Sequence, residues 1–164
     1  MARIMGQAVA GAVAGAVATV VMDAVTARIQ AKQGAADEAR EQAARPNGKD
    51  PASNLADHAI AMTGRRLAPP QRRALATVTH YALGALPGVG YALLRRPLPV
   101  PAVARGALYG AVLWAINDEL LNTLSGAAGP PSSYPASSHL RGLAGHVALG
   151  VSTDLALTAL MVIS

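Results

Sequence analysis

The chain has 164 residues, enough for one domain, and only 14% of them are charged against 52% hydrophobic, whereas globular chains carry roughly 25% charged residues. Its formal charge of +5 comes from basic residues that cluster between apolar segments, without the aromatic interleaving that base stacking needs, and this excludes a nucleic-acid-binding module. There is no Cys, which excludes disulfides and thiolate chemistry.

The first apolar segment runs from Ile4 to about Val25 and meets no charge until Asp23. It contains Gly11-x3-Gly15, a spacing that lets helix backbones approach closely in lipid. A secretory signal is the competing assignment, with Arg3 ahead of the apolar run and Val25-Thr26-Ala27 as a small-residue cleavage site. A long polar loop, 30–73, follows. Its stretch AKQGAADEAREQAAR (31–45) is strongly helix-forming and is expected to prolong the first helix out of the membrane, until Pro46-Asn47-Gly48 stops it. Ser53 is expected to cap a short helix after Pro51, with Leu55, Ile60 and Met62 on one side as an interfacial amphipathic face. In this loop His58 is assigned no chemistry.

The second segment, Ala74–Leu94, opens after Arg72 and Arg73 and closes before Arg95 and Arg96. Pro87, between Gly84 and Gly88, predicts a kink. The third, Ala102 to about Leu124, places Gly106, Gly110, Trp114 and Asp118 on one i, i+4 track. PPSSYPASSHLRG (130–142) reads as a connection with His139 solvated. The fourth segment, Leu140–Ile163, aligns His146, Gly150 and Asp154 on one polar, small face. Each segment has the roughly 20 residues that a helix needs to cross a bilayer. None shows the regular polar stripe of an Ala-rich soluble bundle. The expected fold is all-α, four transmembrane helices (about 4–25, 74–94, 102–124 and 140–163) in a single membrane domain over 1–164.

An internal repeat organises these helices. GAVAGAV (11–17) matches GALYGAV (106–112), and continuing both lines sets Asp23 against Asp118. The helix after each carries HYALG (80–84) or HVALG (146–150). Alanines and leucines match cheaply in such a chain, but His occurs only four times. Two tandem-duplicated hairpins with a pseudo-two-fold along the membrane normal follow as the expectation. Such an axis would bring Asp23, His80, Asp118 and His146 together about 9 Å inside one membrane face.

Ionisable groups are costly in a bilayer, and those retained there commonly carry function. Imidazole with carboxylate suits a divalent metal (Zn, Fe or Mn), with Asp23, His80, Asp118 and His146 as ligands and Glu119 and Asp154 as secondary ones. The same groups could relay protons. Two histidines with glycine four residues on could also clamp a haem, though the 3% aromatic content disfavours it. No nucleophile elbow, phosphate loop or HExxH motif supports an enzyme. The expected function is ion or proton handling at a buried Asp/His site. The alternatives are a structural or adaptor subunit whose polar groups fix helix packing, and a haem-binding or metal-dependent membrane enzyme. The Gly faces predict a homo-oligomer in the lipid bilayer.

THYALGALPGVGY (79–91), the Gly-rich third segment and the Gly145-His146 pair resemble the YagU-like family of small bacterial inner-membrane proteins. The resemblance covers most of segments two to four and weakens before them. It implies four helices, a multi-pass inner-membrane location, no established biochemical activity and a link to acid tolerance. By it, His80, Tyr91, His146 and Asp154 match family positions, and Asp23 falls near an acidic one. It also implies termini inside. Counting Lys and Arg gives the opposite orientation, because ten lie on the side of the first and third loops and four on the other.

Overall fold

The computed structural model describes residues 1–95 and 99–163, with side chains to Leu160; Arg96, expected to help close the second segment, lies outside the described residues. Every long element among them is a helix, as the composition predicts. Helix α1 spans Ala2–Gln30, α2 Ala35–Ala44, α3 Pro51–Thr63, α4 Pro69–Leu94 and α5 Ala102–Trp114. The last continues through a π-helical stretch, Ala115–Leu121, into a final α turn, α6 (Asn122–Leu124), before α7 (Ala136–Ile163). Two helices, Ala2–Gln30 and Ala136–Leu160, are long and apolar enough to cross a membrane. α4 has the length, but Thr77, Thr79, His80 and its glycines dilute its apolar character, and regular α-helix in α5 stops at Trp114.

α1 packs along α4, α5 along α7, and α1 against α7, so the four long helices lie in the order α4, α1, α7, α5. A two-fold exchanging the hairpins would give α4 and α5 the contact that α1 and α7 enjoy. Their backbones instead stand apart, joined mainly by the stacked rings of Tyr91 and Tyr109, 4.1 Å between centroids. The gap is where the cavity described below forms.

Glycine carries each hairpin. A Cβ on Gly15 would collide with the Gly84 carbonyl, and one on Gly11 with Gly88. In the second hairpin Gly110 lies on the His146 carbonyl and Gly106 on that of Gly150. The Gly faces expected to join copies are therefore occupied inside the chain. Relative to the matched motifs, the second hairpin is slid by one turn, about 6 Å.

The distribution of residue types is inverted. Ala14, Ala18, Thr19, Thr153 and Asp154 are buried, whereas Val9, Val13, Val17, Val78, Leu86, Leu108, Val112 and Leu155 are exposed. Water drives large aliphatic side chains inward; a hydrocarbon solvent does not, and there small residues make the helix contacts.

Four local expectations are corrected. The helix-forming stretch 31–45 does not prolong α1, which ends at Gln30; α2 starts afresh after Gly34. Asp50, not Ser53, caps α3, accepting from the Ser53 amide at 2.9 Å and from its hydroxyl. α3 packs on α4, buries Ala52, Ala56 and Ile60 and leaves Met62 exposed, rather than presenting an apolar face with all three predicted residues. α7 begins at Ala136, so His139 is helical, not part of a solvated connection.

Candidate functional site

α1, α4, the π-helical stretch and α7 surround a cavity of about 980 Å³ at the end of the bundle that the first and third loops cover. Three carboxylate–imidazole pairs line it. In the first hairpin His80 Nε2 lies 2.9 Å from Asp23 Oδ1. In the second, His146 Nδ1 lies 3.5 Å from Asp118 Oδ2 and 3.0 Å from the Gly142 carbonyl. The third pair, His139 Nδ1 and Glu119 Oε1, is the shortest at 2.7 Å, and His139 Nε2 lies 3.1 Å from the Pro131 carbonyl. The Asp23 side chain is 42% exposed and that of His146 only 4%, so the first pair faces the opening and the second the bundle interior.

The π-helical stretch explains why three consecutive side chains, Asn117, Asp118 and Glu119, can all line one cavity. Successive α-helical residues diverge by about 100°. Bonding from i to i+5 widens the turn, and such segments concentrate at functional sites. Asn117 and Asn122 also direct their amides to Asp118 Oδ1, at 3.3 and 3.4 Å.

The four residues expected in one cluster stand as two separate pairs. Asp23 meets His80, and Asp118 meets His146, each within its own hairpin. Among the described residues no three His, Asp or Glu side chains stand close enough to share a metal ion. Asp154 is elsewhere: fully buried, it binds Arg95 Nε at 2.9 Å, the Arg105 guanidinium at 2.8 and 3.2 Å, and the Tyr91 hydroxyl at 2.9 Å. Its carboxylate is committed to two guanidiniums and unavailable as a ligand. His139 corrects the expectation of a solvated imidazole. Arg105, three residues inside an apolar segment, is the signal that sequence reasoning passed over.

The lid over the cavity is built from loop side chains. Glu41, 4% exposed, accepts from Gln33 (3.0 Å), Ser138 (2.8 Å), Arg141 (2.7 Å) and Arg45. Arg141 also donates to Gln33. The buried Asn54 amide ties the first loop to the third through the Ala127 carbonyl at 3.0 Å and holds the Pro46 carbonyl at 3.1 Å. Arg40 reaches the Ser132 and Ser133 carbonyls, both at 3.1 Å. Outside, Lys49 and Arg72 (3.0 Å) share Asp57.

Burial alone would raise the Glu41 carboxyl, but the hydrogen bonds from Arg141, Gln33 and Ser138 outweigh it and hold the value at about 2, against an ordinary 4.5. A depressed carboxylate stabilises the folded state above its unfolded value and loses that contribution as pH falls through the folded one. The lid is therefore expected to weaken as pH falls from 4.5 towards 2. Proteolytic cleavage within 31–63 should rise over that window, and Glu41→Gln should be cut readily at every pH. Cleavage of the wild type that is flat down to pH 2 would remove Glu41 as the pin.

No protein-family model matches the chain, no curated protein does, and no solved structure does.

Proposed function

We propose that the chain is an integral membrane protein with four spanning helices whose vestibule accepts protons or cations. The observation that carries this reading is three carboxylate–imidazole pairs on the walls of one cavity. Membrane insertion is supported by the aliphatic exterior of α1, α4, α5 and α7 around a small and polar interior. In lipid, a carboxylate at depth costs about 2.5–3.5 kcal/mol on insertion scales, while interhelical hydrogen bonds return only about 0.6 kcal/mol each. Packing alone is a poor reason to keep three such pairs.

Imidazole is the side chain that gains or loses a proton near neutral pH, and an adjacent carboxylate stabilises the protonated form. A chain of such pairs from the half-exposed Asp23–His80 to the buried His146 offers protons or cations successive resting places. Among the described residues the three acids meet no Lys or Arg. A divalent metal is disfavoured because, among the described residues, no three ligating side chains converge. The matched motifs of the two hairpins support a duplication, with the second copy slid one turn and bulged at the π-helical stretch.

Reconstitution tests the reading. In liposomes the wild type should collapse an imposed pH gradient at least about ten-fold faster than lipid alone, a difference of about 1.4 kcal/mol in effective barrier. His80→Ala/His146→Ala should return the rate to background. A folded wild type that leaves the gradient at the lipid-only rate would refute a proton pathway.

A further inference from the structure

We propose that the cavity binds an amphipathic organic cation, an ammonium group carried on an apolar body. This rests on the cation-accepting reading above and names the class of cation. Volume is the first argument. About 980 Å³ lies at the upper end of the roughly 300–1,000 Å³ of drug-sized sites, far more than a bare ion or a hydronium chain fills.

Charge is the second. At the mouth Arg45 and Arg141 share Glu41, and Lys49 and Arg72 share Asp57, so each of these clusters keeps one positive charge engaged on its own acid. Arg73 stands exposed at the rim. Asp23 at the opening and Asp118 and Glu119 further in face imidazoles and amides, so among the described residues these walls present a field of three carboxylates with no Lys or Arg against them. An organic anion would meet that field unfavourably.

The rest of the lining supplies the third argument. The same cavity is lined by Met22, Leu83, Leu149, Tyr81 and Trp114, apolar and aromatic groups suited to a hydrocarbon body and to cation–π contact. The Trp114 indole nitrogen is buried without a hydrogen-bond acceptor. Buried donors are rarely left so, and this one lies beside Asp118 at the Gly142 backbone, marking a spot on the wall that the protein's own groups leave unfilled.

Trp114 is the chain's only tryptophan, so its emission reports the cavity directly. Purified protein in detergent would be titrated with benzyltrimethylammonium, its neutral isostere neopentylbenzene, and the anion phenylmethanesulfonate. The expected result is a saturable emission change with the cation, and affinity at least ten-fold weaker for the other two. Asp118→Asn should weaken cation binding ten-fold or more; Asp23→Asn, at the half-exposed pair, serves where Asp118→Asn does not fold. Equal response to the neutral isostere, or unchanged affinity in both folded variants, overturns the proposal. No saturable change while the pH gradient still collapses overturns the organic cation and leaves the proton pathway standing. Loss of both overturns both.

Discussion

Asp154→Ala is expected to cost the most of any single substitution in the chain. The carboxylate is fully buried between Arg95 and Arg105, with the Tyr91 hydroxyl on the same oxygen that binds Arg95. Removing it leaves two guanidiniums without a counter-charge inside the bundle. Breaking a buried pair this way costs about 3–5 kcal/mol, a large part of the 5–15 kcal/mol that holds a typical fold together. Little folded protein should survive detergent extraction, and what does should melt far below wild type. The cluster holds one acid and two bases, so its charge is positive. Arg105→Met should therefore be milder, leaving Asp154 matched by Arg95 alone. Melting of Asp154→Ala close to wild type, or of Arg105→Met below Asp154→Ala, would show that this charge balance does not hold the bundle together.

The second large effect is expected at Gly110 and Gly15. At either position the first side-chain carbon would fall on a carbonyl of the facing helix, that of His146 or Gly84. No rotamer relieves a clash at Cβ, so the hairpin must separate. Ordinary overpacking costs about 1–3 kcal/mol, and a backbone collision belongs at or beyond the upper end. Gly110→Ala also displaces the backbone of His146, so it should abolish gradient collapse together with stability. Gly90→Ala is the control: nothing lies within 4 Å of its added carbon. There, relief of glycine's entropy in mid-helix should stabilise by about 0.5–1 kcal/mol. A Gly110→Ala protein as stable as Gly90→Ala would contradict the close backbone contact.

Much of this was legible in the residues. The third segment, Ala102 to Leu124, is helical throughout, though its regular α-helix gives way to a π-helical stretch at Ala115 that nothing in the residues announces. The matched offsets in the two motifs single out Asp23, His80, Asp118 and His146 as one set, whereas which aspartate meets which histidine is set by the fold. What was hidden is tertiary. The stretch 31–45 has helix-forming residues throughout, yet the chain turns at Gly34 so that Glu41 can reach Arg141, a hundred residues away. His139 stood beside prolines and serines that mark a loop, and only the fold brings Glu119 to it. Arg95 and Arg105 were counted as charges flanking the membrane, and nothing in their spacing announces that both close on Asp154.

The π-helical stretch has a further consequence. Asn117, Asp118 and Glu119 share one wall only while the surplus residue of the widened turn stays where it is. Such a bulge works like a vernier: moved by one position, it would turn Asp118 away from His146 and Glu119 away from His139 in the same motion. The two contacts are then a single setting of the backbone. Whatever fills the cavity by binding one of these acids also fixes the other.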